Sequence, residues 1–135
     1  MLKYAQLFVD YLDIKGIKYT VVDERTVKVV YNGDNLDSIP VFVFFDKDGD
    51  NLVAFKCWDI ANFKSAPEKG INACNELNAA WRWVKFFIDK DFDVVADIDA
   101  IVDDRTCGEI CLALVRRVVS IVDDAYPTLA KARWA

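Results

Sequence analysis

The chain has 135 residues, 54% of them hydrophobic and 29% charged, with a net charge of −5 and an isoelectric point near 4.7. That length and composition predict a single folded domain over 1–135 and exclude a disordered chain. The acidic balance, with no Lys/Arg stripe to offset it, argues against a phosphate backbone as partner, so no nucleic acid is expected.

The first segment, MLKYAQLFVDYLDIKG, is amphipathic. Leu2, Ala5, Phe8, Val9 and Leu12 fall on one helical face, and Gly16 is placed to end the helix. Gln6, Asp10 and Asp13 break its apolar run, so it reads neither as a signal peptide nor as a membrane span. A cytoplasmic location with reduced cysteines, and no membrane partner, is the resulting expectation. Residues 17–22 and 26–31 are rich in β-branched side chains and predict two strands, with Asp23-Glu24-Arg25 as their turn. A polar loop from Asn32 to Ser38 opens on the turn signal Asn32-Gly33.

Ile39 to Phe45 reads as a strand, with Pro40 near its start, where a missing N–H does least harm. Asp48-Gly49 signals a two-residue hairpin, and Asn51 to Trp58 is the returning strand. A turn centred between Asp48 and Gly49 pairs Phe45 with Leu52 and Val43 with Ala54 on one side. On the other side it pairs Phe44 with Val53 and Phe42 with Phe55. Both sides are apolar, which predicts a central strand pair covered on both faces. The segment FFDKDGDNLVA (44–54) is echoed by FIDKDFDVVA (87–96), as two hairpins solving one turn problem.

Ser65-Ala66-Pro67-Glu68 has the form of a capping box with Pro in the first turn. The helix it opens places Ile71, Cys74 and Leu77 on one face and ends near Asn78. From Arg82 the alternation Arg82, Val84, Phe86, Ile88 predicts a half-buried strand over 81–89, and Val94, Ala96, Ile98 predicts its partner over 92–99. A turn centred on Asp91 sets Ile88 against Val94, Phe86 against Ala96 and Val84 against Ile98. It also sets Lys85 against Asp97, a favourable cross-strand charge pair. Thr106-Cys107-Gly108-Glu109 is a second capping box. It opens a helix whose stripe is Ile110, Cys111, Leu114, Val118, Ile121 and Val122, with Pro127 expected to kink or end it. Leu129 to Trp134 then adds a further turn or two. The fold class is therefore α+β: an antiparallel sheet of about six strands with helices packed on it, in the order α-β-β-β-β-α-β-β-α.

That order, with Asn75-Glu76-Leu77-Asn78 running into RWVKFFID and then DVVADID, resembles the YbjN family of bacterial proteins, described as regulators of sensory transduction. The resemblance runs from the first helix to the AYPTLAKARW tail. Its fold is similar to that of the type III secretion chaperones, small α+β proteins that often dimerise and bind protein segments. The resemblance implies a regulatory role and no set of catalytic residues. One departure is Phe92, which stands in the second turn where the family's DEDG-like form would have Gly.

Asp46-Lys47-Asp48-Gly49-Asp50 looks like the opening of a calcium loop, but position 6 is Asn51, position 12 is Cys57, and the flanks are strands. It reads as a hairpin turn, and no metal is expected there. Cys107 and Cys111 are four apart and Cys57 and Cys74 are scattered, in a chain with no His, so the four read as small buried hydrophobes rather than ligands. Asp103-Asp104 and Asp123-Asp124 read as helix-start charges and solvated surface. Asn75 and Asn78 read as helix-end residues. With only Ser38, Ser65 and Ser120 as serine hydroxyls and no phosphate-binding glycine loop, no catalytic constellation assembles and no cofactor is implied.

The feature that points to function is aromatic. Trp81, Trp83 and Phe87 share a strand face with Lys85 between them, and Phe42 or Phe44 extends it. Trp and Tyr are enriched where proteins meet. The expectation is a non-enzymatic, protein-binding regulator or chaperone-like module, with a protein partner or a homodimer on that face. The alternative is a small-ligand sensor with a pocket between helix and sheet, and a third class is an enzyme with a carboxylate site.

Overall fold

The structure, a computed structural model, describes residues 1–134; Ala135, the last position of the expected domain, lies outside the described residues. Its elements are α1 (Lys3–Lys15), β1 (Thr20–Asp23), β2 (Thr26–Tyr31), β3 (Ile39–Phe45), β4 (Leu52–Cys57), α2 (Pro67–Ala80), β5 (Lys85–Ile88), β6 (Val94–Ile101) and α3 (Cys107–Trp134). This is the α+β class and the element order read from the sequence. The six strands form one antiparallel sheet in the order β1-β2-β3-β4-β6-β5. β6 therefore inserts between β4 and β5, and β1 and β5 are the edges.

The helices end where local chemistry ends them. Gly16, at φ 69°, takes the left-handed conformation, and the N–H groups of Gly16 and Ile17 return to the carbonyls of Asp13 and Leu12. The start of α3 is capped by Asp103, whose carboxylate accepts the N–H of Arg105 and Thr106 and the Thr106 hydroxyl. The Thr106–Glu109 box is thus replaced by Asp103 acting with Thr106. α2 starts at Pro67, but Ala66 holds the cap position without a side-chain bond, because Ser65 stands one residue too early. Ile71 points to water, while Gly70, Ala73, Cys74 and Leu77 face the core. α3 continues through Pro127 for 28 residues, because the fully buried Leu129 anchors its last turns. Its stripe is also rotated from the expected one, with Ile110 and Leu114 only half-buried.

All three helices pack on one face of the sheet. On that face Val27, Val29, Val41, Val43, Phe45, Val53, Phe55, Phe86, Val94 and Ala96 are at most 2% exposed, so they form a continuous apolar layer. The alternate residues, Phe42, Phe44, Ala54, Lys56 and Phe87, are only half-buried. The expectation that the β3–β4 pair is covered on both faces is therefore corrected: one of its two apolar faces has no helix over it.

The register of that hairpin is corrected too. Phe45 pairs with Val53, Phe44 with Ala54, Val43 with Phe55 and Phe42 with Lys56, one residue away from the pairing that Asp48-Gly49 suggested. The cause is the turn. The Asp46 carboxylate accepts the Asp48 N–H at 2.9 Å, the Asp46 C=O accepts the Gly49 N–H, and Gly49 sits at φ 82°. The loop that carries this Asx-type turn is wider than two residues and closes only at the bond from Asp46 N–H to Leu52 C=O. A single-residue slip exchanges the faces of every side chain. The β5–β6 turn repeats the same device: Asp89 accepts the Asp91 N–H, and Phe92 takes the left-handed place at φ 65°. It closes sooner, from Asp89 N–H to Asp93 C=O. The expected pairs Ile88–Val94, Phe86–Ala96 and Lys85–Asp97 all form. β5 begins at Lys85, so the expected Val84–Ile98 pair lies outside the ladder.

Candidate functional site

The helix-free face of the sheet is built from side chains that alternation throws outward from β2, β3, β4, β6 and β5. Phe42, Phe44 and Trp58 form a triangular cluster there, with ring centroids 6.3 Å (Phe42–Phe44), 4.6 Å (Phe42–Trp58) and 6.1 Å (Phe44–Trp58) apart and planes within 20° of one another. Each such ring pair contributes about 0.5–1.5 kcal/mol beyond the burial of its area. Phe87 stands across an open groove of about 480 Å³ from Phe44 and Trp58. Lysines flank the rings: the Lys28 ammonium lies 5.9 Å from the Phe42 ring centre, and that of Lys85 lies 5.3 Å from Phe87. Lys85 also reaches Asp97 at 3.5 Å, so the predicted cross-strand pair is present. Val30, Leu52 and Ile101 extend the apolar surface and are 46–72% exposed. Leu52 and Ile101 face each other across β4 and β6.

Of the four residues expected to form one interface, the structure keeps two together. Phe87 and Lys85 lie on the open face. Trp81 and Trp83 do not, because the strand has not yet begun there. Trp83 has φ 78°, a left-handed conformation that turns the chain and breaks the alternation. Trp81 is half-buried against the core, and Trp83 is 60% exposed beside α3, with the Arg117 guanidinium 5.2 Å from its ring centre. Trp58 takes the place in the aromatic cluster that the tryptophans of 81–83 were expected to fill. Its signal was in the sequence, since it lies two residues beyond Lys56 on the outward series of β4.

Two polar residues hold the frame around this surface. Asn78 does not cap its own helix. Its side-chain amide donates to the Phe86 C=O at 2.9 Å, and its carbonyl accepts the Phe86 N–H at 2.8 Å. It thus satisfies the outer edge of β5 as a neighbouring strand would, and blocks that edge against further pairing. Asp123, expected at the surface, is buried to 7% exposure. Its carboxylate accepts the backbone N–H groups of Asp34, Asn35 and Leu36 at 2.8–3.0 Å. Burial by itself would raise this carboxyl; the three N–H donors outweigh burial and hold it below the usual value. Gly33 permits the contact, because a Cβ there would stand 2.2 Å from the Asp123 carboxylate oxygen.

All four cysteines are buried and unpaired. Burial pushes the Cys57 thiol up to about 12 and the Cys74 thiol up to about 11. Contact with Cys107, then burial, pushes Cys111 far up, and Cys107 donates its S–H towards the Tyr4 carbonyl. Cys57, Cys74 and Cys111, held protonated in this way, are poor nucleophiles and poor ligands, whereas contact with Cys111 draws the Cys107 thiol below its usual value. Asp59, Asp89, Asp91 and Asp93 line one groove beside Trp58. Among the described residues, no three Cys, Asp or Glu side chains are placed to hold a metal ion. Nor is any helix among them long and apolar enough to cross a membrane.

Comparison with known proteins agrees with this architecture. The profile of the YbjN family, described as "Putative bacterial sensory transduction regulator", matches residues 6–131. The chain is also similar to a solved structure described as "YbjN, a putative transcription regulator from E. coli", at 16% identity, over 90% of this chain and 87% of that one, with a TM-score of 0.66. At that identity the likeness shows the fold alone. No curated protein matches the chain.

Proposed function

The chain belongs to the YbjN family, and from that premise we propose that it works as one domain and as a non-enzymatic regulator acting through protein–protein contact on its open sheet face. The observation that carries this reading is the Phe42–Phe44–Trp58 cluster, stacked on a sheet face over which no helix lies. Aromatic anchors with a polar surround are the usual source of binding energy between proteins. A reducing, cytoplasmic setting suits the four free cysteines.

The occupant proposed for the face is a second copy of the chain. Lys28, Lys56 and Lys85 stand among the rings together with Asp97 and Asp99. A face that carries both charges can meet itself about a twofold axis, with lysines of one copy over aspartates of the other. Sedimentation equilibrium tests this. The wild-type chain is expected to be a dimer at micromolar concentration, and Trp58→Ala is expected to weaken association by about 2 kcal/mol or more. A wild-type chain that stays monomeric, or a Trp58→Ala chain that associates as well as wild type, contradicts the proposal.

A further inference from the structure

A second surface, on the helix side, does not depend on the open-face reading. Trp83 is a large aromatic side chain held at φ 78° and 60% exposed. A bulky residue in this region is strained, and here the strain yields little burial in return. Such strain persists where it positions a side chain for use. Trp83 stands as a ledge between two open grooves. One, of about 460 Å³, is walled by Ile98, Ala100, Ile110 and Leu114 and is mostly apolar, with Arg117 shared between it and the second groove. The other, of about 410 Å³, is lined by Arg82, Arg116 and Arg117.

The three guanidinium groups are an island of positive charge on a chain of net charge −5. Arg116 donates its Nε–H to the Tyr31 hydroxyl at 3.1 Å, and Arg117 lies over the Trp83 ring. Among the described residues, no carboxylate is within ion-pair distance of any of the three. Unpaired arginines beside an exposed tryptophan match the residue types that dominate binding hot spots. We propose that this ledge docks an acidic peptide segment of a partner protein. Its carboxylates meet Arg82, Arg116 and Arg117, while an adjacent aliphatic side chain enters the groove against Ile110 and Leu114.

Fluorescence anisotropy tests the proposal. The probe is a short fluorescein-labelled peptide in which each leucine is flanked by glutamates, with the lysine-for-glutamate peptide as control. The acidic peptide is expected to bind and the basic one not, with affinity falling as salt rises. Arg82→Glu with Arg117→Glu is expected to weaken binding about tenfold or more. Trp83→Gly separates docking from folding. Glycine accepts the left-handed conformation without strain, so the thermal midpoint should hold or rise while binding falls about tenfold or more. No binding of the acidic peptide up to about 1 mM would overturn the proposal. So would equal binding of the basic peptide, or Trp83→Gly and the double arginine variant binding as wild type does.

Discussion

The open sheet face and the Trp83 ledge both present aromatic rings to solvent, but they arise in opposite ways. On the open face, regular alternation carries Phe42, Phe44 and Phe87 outward, and the rings shield one another and the lysine stems beside them. At the ledge, alternation is interrupted. A left-handed Trp83 turns the chain back towards α3, and the ring gains one guanidinium neighbour and little cover. The first surface is broad, mixed in charge and fit for another sheet face. The second is narrow, basic and fit for a segment. Exposure alone would have grouped them; backbone conformation separates them.

The two faces of the sheet should also differ in energy, and substitutions test that difference. The largest effect is expected on the covered face. Phe55→Ala should cost about 3–5 kcal/mol of stability in chemical denaturation, because Phe55 is fully enclosed beneath the helices. Trp58→Ala on the open face should cost only about 1–2 kcal/mol of stability. Equal losses at the two sites would mean that the open face is core in disguise. Next comes the edge of β5. Asn78→Ala leaves the Phe86 N–H and C=O without their partner, for a loss of about 1–2 kcal/mol in the same assay. Amide exchange at Phe86 should accelerate with it.

A smaller, pH-limited effect belongs to Asp123. Its folded carboxyl lies below the unfolded value near 3.8, so its contribution is present above that value and is lost as pH falls through the lower folded one. Amide exchange in residues 34–36 should therefore rise at acid pH in wild type. In Asp123→Asn, protection there should be reduced at every pH and that acid step should be absent. The smallest effect is expected at Lys85. Its own side chain is mostly in water and lies 3.5 Å from the more enclosed Asp97, so Lys85→Ala should shift stability by no more than about 1 kcal/mol.

Much of this fold was legible because its signals are local. The period of α1, the alternation of β6 and the Lys85–Asp97 match each lie within a few residues or across one turn. Register in the first hairpin was not legible from Asp48-Gly49, because the Asp46 side chain builds a wider turn and moves the pairing by one residue. The role of Asp123 was hidden for another reason: its partners are backbone groups 87–89 residues away, which have no sequence signature. Asn78 likewise serves the backbone of a strand rather than a side chain. The outward-facing aromatic set was half legible. Phe87 and Lys85 followed the alternation, whereas Trp83 fell where a left-handed residue ends it, and nothing in a tryptophan announces that conformation.

Hydroxyl-radical labelling of the wild-type chain across a concentration series tests the central claim most directly, since it reads both aromatic surfaces in one sample. As concentration rises, labelling of Phe42, Phe44 and Trp58 should fall together while that of Trp83 stays constant. Constant labelling of all four residues, or protection confined to Trp83, would contradict the assignment of the open sheet face as the surface through which this protein meets its own copy.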